Sequence, residues 1–152
     1  MTAAQRRYVR TEMVVAAIIN AVLSIVFLLI VFGGQETIAV GGRGGLVVDA
    51  IPQTLMIVLM SILVPTLLTR RRLAAGRIER LAGTPGWPRN VLLRSMLAAT
   101  VAAAIAWILH AALMPLTGAD WSFQTALSFK TAYGAILGAT VARFAVGAAL
   151  TG

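Results

Sequence analysis

Residues 69–94 read TRRRLAAGRIERLAGTPGWPRNVLLR, and this stretch holds seven of the thirteen basic residues of the chain but one acid, Glu79. An apolar run of membrane length lies on either side of it. Arginine and lysine are retained on the cytoplasmic side of a membrane during insertion, so a basic block between two such runs is an orientation signal. Composition agrees: 59% hydrophobic residues, 12% charged residues and a mean hydropathy of +0.89 lie far from the balance of a soluble domain. The 152 residues leave room for a single membrane domain, 1–152, whose core is made by helices packing on one another.

Working outward from the basic block, four apolar segments are expected to be helices, at about 12–32, 50–72 with an extension to 82, 90–113 and 121–150. In hydrocarbon every backbone polar group must be bonded within its own segment, which leaves helices as the spanning structure. The fold class is therefore all-α, a four-transmembrane-helix bundle. The first segment follows Arg6, Arg7 and Arg10, as a signal peptide would. It has about 20 apolar residues instead of the roughly 7 to 15 of a cleaved signal, and reads as a retained anchor. In the extension of the second, Gly83 is the expected stop, and Thr84-Pro85-Gly86-Trp87-Pro88 the turn beyond it.

Charges near the ends of these segments assign their sides. Arg6, Arg7 and Arg10 with Glu12 share a side with the basic block, whereas Arg43, Glu36, Asp49 and Asp120 lie opposite. The excess of arginine places both termini and the 70–94 loop in the cytoplasm. A net charge of +8 and a pI near 11.7 raise nucleic acid as a partner. No nucleic-acid motif accompanies the arginines, and anionic lipid head groups are the expected counter-charge for Arg70, Arg71, Arg72, Arg77 and Arg80.

The connection 33–50 carries six glycines, and Thr37-Ile38-Ala39-Val40 and Leu46-Val47-Val48 flank its centre. That pattern suits a short hairpin between these two runs as well as it suits an irregular loop. A second local pattern is an echo: Asp49-x-x-x-Gln53-Thr54 opens the second helix and Asp120-x-x-x-Gln124-Thr125 the fourth, raising two related helical hairpins as one way the bundle is built. Aspartate is also a common N-cap, which explains both occurrences without duplication.

Polar residues inside the spans are the candidate site. Lys130 stands on a helical face with Gly134 and Gly138, where a neighbouring helix approaches closely. An inward position with a partner and an outward one with the ammonium snorkelling to the interface are both open to it. Asn20 and Ser24, one turn apart, supply a partner surface at matching depth, and Gln53 and Ser61 form a second polar ridge ending at Pro65. Ala98, Ala102 and Ala106 are a small-residue ridge for helix packing. His110 at its end reads as a hydrated polar tip near the outer interface.

Catalytic groups and cofactor sites are not expected: the sequence has no cysteine, one histidine, no phosphate loop and no nucleophile with a base. In layout the chain resembles small bacterial inner-membrane proteins. The leading expectation is an interaction or accessory subunit without catalysis, pairing with copies of itself or with another membrane protein. The alternatives are a small permease or ion pathway through Lys130, Asn20, Ser24 and Gln53, and a sensor of anionic lipid surfaces.

Overall fold

The computed structural model describes residues 1–83 and 90–151. The expected turn at Thr84 to Pro88 therefore lies outside the described residues. The elements run α1 (Ala3–Phe32), β1 (Thr37–Ala39), α2 (Leu46–Ala74), α3 (Val91–Leu113), a 3₁₀ turn at Met114–Thr117, β2 (Asp120–Ser122) and α4 (Phe123–Thr151). All four α-helices are long and apolar enough to cross a membrane.

Helix α1 begins nine residues before the expected boundary. Thr2 and Gln5 form a capping box: the Thr2 hydroxyl accepts from the Gln5 backbone N–H, and the Gln5 side chain accepts from that of Thr2. The basic segment with Arg6, Arg7 and Arg10 is thus helical, and 30 residues at 1.5 Å each make α1 about 45 Å long. Its first three turns project past the length a bilayer needs.

Helix α2 also begins early, at Leu46. Gly45 is its N-cap, buried so closely against the backbone oxygens of Gly41 and Ala39 that a side chain has no room. The Leu46-Val47-Val48 run is the first turn of a helix, not a hairpin strand. β1 pairs instead with β2, antiparallel, with Ile38 opposite Trp121, so the 33–45 connection is tied to the start of α4. At its other end α2 stops at Ala74, eight residues short of the expected extension. Gly76 adopts φ +66, the left-handed conformation that glycine takes without steric cost, and supplies the stop assigned to Gly83.

Helix α4 is the centre of the packing. It lies along α1 and α2, while α3 packs on α2 and meets α4 through side chains such as His110, with the two backbones apart. The facing rows of α1 and α4 are regular: Tyr8, Glu12, Ala16, Asn20, Ser24, Leu28 and Phe32 on one, Ala126, Lys130, Gly134, Gly138, Ala142, Val146 and Leu150 on the other, all buried. A four-residue repeat exceeds the 3.6 of a helical turn, so each stripe winds right-handed around its helix, the sense of glycine-mediated helix pairs. Glycine allows the approach: a Cβ on Gly134 would overlap the Ser24 hydroxyl and lie 2.9 Å from the Asn20 carbonyl oxygen, and one on Gly138 would overlap the Asn20 amide.

Two apolar clusters close the ends of this seam. At the loop end Leu28, Phe32, Ile38, Val40, Leu46, Val47, Met114 and Ala126 form one cluster, to which the strand contributes the fully buried Ile38. At the end with the termini, Tyr8 and Val9 meet Val146 and Leu150.

Candidate functional site

Several of the polar contacts of the interior are organised along one row of α2. Asp49, Gln53, Ile57, Ser61, Pro65 and Thr69 follow at four-residue steps, and each polar member meets a side chain of α1 or α4. Asp49 forms an ion pair with the Lys130 ammonium. The Gln53 amide donates to the Ser24 hydroxyl at 3.0 Å and more weakly to the Lys130 carbonyl at 3.4 Å. The Asn20 amide donates to Ser61 at 3.0 Å and to the Ala16 carbonyl, one turn back in its own helix, at 2.8 Å. The hydroxyls of Tyr8 and Thr69 bond at 2.9 Å.

Lys130 is 4% exposed. It points inward, and the snorkelling orientation is not the one adopted. Its stem begins eight residues into α4, about 10 Å along the helix from Phe123. The ammonium sits 5.6 Å from the centre of the Phe32 ring, whose π face adds to the attraction of Asp49. An isolated ammonium in such an interior carries a large desolvation cost, and an adjacent carboxylate offsets it only when the geometry is close. Asp49 itself is partly exposed, so the burial falls mainly on the ammonium.

Lys130, Asn20, Ser24, Gln53 and Ser61 are thus all buried along this row of α2 or against it, but the partner expected for Lys130 differs. Asn20 and Ser24 lie one to two turns deeper and bond to Ser61 and Gln53. Asp49 takes the lysine. A second acid expected at a helix start, Asp120, lies in β2 and is exposed, and Gln124 is exposed where Gln53 is buried. The two Asp-x-x-x-Gln-Thr segments therefore stand in unlike environments.

Further from this row, His110 is buried instead of hydrated. Its ring packs edge-on against Tyr133 at 5.2 Å and Phe129 at 5.8 Å, with Nδ1 2.7 Å from the Ala106 carbonyl. Tyr133 in turn bonds to Thr54 at 2.7 Å. Among the alanines, Ala106 is buried, whereas Ala98 and Ala102 are half-exposed and border a groove; Ala99 and Ala103 take the inward positions.

Near the termini, Arg72 donates to Glu12 at 3.1 Å and lies 4.8 Å above the Tyr8 ring. The Gln5 amide donates to the Glu79 carbonyl at 3.0 Å, tying the chain beyond α2 to α1. Arg70, Arg71, Arg77 and Arg80 are exposed. Among the described residues no three His, Cys, Asp or Glu side chains converge as a metal site would require. Comparison with protein-family models, with curated proteins and with solved structures finds no match to this chain.

Proposed function

We propose that this is an integral protein of a bacterial-type inner membrane, with both termini and the basic block cytoplasmic, acting as a non-catalytic interaction or accessory subunit. The observation that carries this reading is that the costly polar side chains of the interior are engaged with one another. Asp49 with Lys130, Gln53 with Ser24 and Asn20 with Ser61 form a tight seam under an apolar cap. The outer faces remain available. Ile18, Ile19, Val22, Val26 and Ile30 on α1 are exposed, as are Leu97, Val101, Ile105 and Ile108 on α3. In a bilayer these faces meet lipid or another helix.

Purification in mild detergent followed by cross-linking tests the role. A defined homo-oligomer or a co-purifying membrane protein is the expected result; a strict monomer with no partner removes its support. Orientation is tested separately on a chain without native cysteine. An impermeant maleimide should label Gly42→Cys in intact spheroplasts and Arg77→Cys only after permeabilisation.

One observation favours a second reading, a solute or ion pathway: the pair at Lys130 is ionic, and charged residues at depth commonly mark transport routes. For a solute that the reconstituted protein carries, Lys130→Ala should lower the flux; unchanged flux dismisses the lysine's role. The exposed Arg70, Arg71, Arg77 and Arg80 support contact with anionic head groups. Binding of a peptide covering 70–89 to vesicles should then weaken with salt and vanish without anionic lipid.

A further inference from the structure

Between α3 and α4, with α2 as its floor, runs an apolar groove of about 220 Å³. Val58 and Ile62 form the floor, Ala98 and Ala102 one wall, and Val141 and Ala145 the other. It is open sideways because the α3 backbone follows α2 and stands off that of α4. A closed apolar cavity of roughly 150 Å³ accommodates a benzene ring, so this groove has room for a stretch of hydrocarbon chain, not for a whole lipid.

One charged residue lines it. Arg94 is 6% exposed and lies three residues, about 4.5 Å, from the start of α3, at the level of head groups if the helix spans. Its Nη2 donates to the Thr66 hydroxyl at 3.0 Å, and among the described residues no carboxylate pairs with it. The contrast with Lys130 is chemical: a hydroxyl satisfies one of five guanidinium N–H groups and none of its charge. Two further features raise the positive potential there. Arg70 is close enough for its charge to act on Arg94, and the N-terminal end of α3 contributes the positive end of the helix dipole.

We infer that this groove is a binding site for one acidic phospholipid of the leaflet on the side of the termini, its phosphate on Arg94 and part of one acyl chain along Val58, Ile62, Ala102 and Ala145. Guanidinium and phosphate pair through two parallel N–H···O bonds, a geometry that an exposed lysine patch does not supply. The site is distinct from the exposed arginines of the 70–80 segment, which touch head groups without a cleft for the chain. It rests on the membrane placement proposed above, and on none of the interaction roles.

Native mass spectrometry of the full chain, released from nanodiscs holding equal phosphatidylglycerol and phosphatidylcholine, tests it. The expected result is a single retained phosphatidylglycerol, favoured about tenfold over phosphatidylcholine, a difference of about 1.4 kcal/mol. Arg94→Gln should bring the two lipids near parity, and Ala102→Phe, which fills the groove and keeps the arginine, should lower retention of both. Arg77→Gln with Arg80→Gln should leave the preference in place. Equal retention of the two lipids by the wild-type chain overturns the site, whatever the variants do. So does displacement of the lipid by millimolar glycerol phosphate, which would mark a site for free anions, or loss of preference in the Arg77/Arg80 double variant alone. A chain that fails to enter nanodiscs overturns the membrane placement itself, and with it this site.

Discussion

The α1–α4 seam and the α3–α4 cleft are built from the same small residues and end up opposite in kind. In the seam, glycines on α4 face Asn20 and Ser24 on α1, so every gap left by a missing side chain is filled by one from across. In the cleft, Ala98 and Ala102 face Ala145 and Ala148, and the larger Val141 and Phe144 beside them leave the space open. Small residues bring helices together only when the backbones are free to approach. α3 is held by α2 and is not. The charges follow the same division: Lys130 meets a carboxylate, whereas Arg94 meets a hydroxyl.

This contrast can be broken by substitution. The largest expected effect is at the ion pair: Lys130→Ala strands Asp49 and should lower bundle stability by about 3–5 kcal/mol, measured by unfolding in mixed detergent. Lys130→Met combined with Asp49→Leu should recover most of that loss, since a neutral pair of similar volume leaves no charge unpaired. A loss below about 1 kcal/mol in the single variant would mean that the pair does not hold the seam. Arg94→Leu removes only one hydroxyl bond and should cost no more than about 0.5–1.5 kcal/mol.

Next come the small residues themselves. Gly138→Leu drives a side chain into Asn20 and should destabilise by about 1–3 kcal/mol or more, whereas Ala102→Leu enters open space and should be neutral or stabilising in the same assay. Similar losses at both positions would show that the cleft is closed in the folded protein. Smaller still are the neutral interior bonds. Asn20→Leu and Gln53→Leu should each cost about 0.6 kcal/mol and no more than about 1.7, the range of hydrogen bonds between membrane helices. Arg77→Gln and Arg80→Gln, on the exposed segment, should stay within about 0.5 kcal/mol.

The four helices are readable in the sequence because apolar runs of this length have no competing structure. Their ends are less so, and each miss has a local cause. In Leu46-Val47-Val48 the two valines are β-branched and the run follows glycines, which suits a strand, but the burial of Gly45 starts a helix there. Gly76 carries a stop as good as Gly83, and the apolar spacing of Leu73, Ile78 and Leu81 masks it. Of the site, Lys130, Asn20, Ser24, Gln53 and Ser61 are legible as costly polar residues and indeed lie along one interior row of α2 or against it. Asp49 is missed as the lysine's partner because an aspartate near a helix start has a sufficient local explanation as a cap. Extending the four-residue step back from Gln53 would have placed it on the row. Tyr8 and Thr69 extend the same row at the other end, and their pairing spans 61 residues of chain. Arg94 is readable as one more basic residue of the loop; that it turns inward depends on Thr66, 28 residues away.

The short ladder between β1 and β2 bears on how such a chain is made. β1 emerges between the first two helices, yet its partner strand follows the third, and α1 finds its principal neighbour only in α4. A ribosome therefore delivers three helices before either contact can form, with Asp49 waiting for Lys130 on the fourth. The arrival of α4 supplies the lysine of the ion pair and the long seam along α1, and β2 before it buckles both loops together.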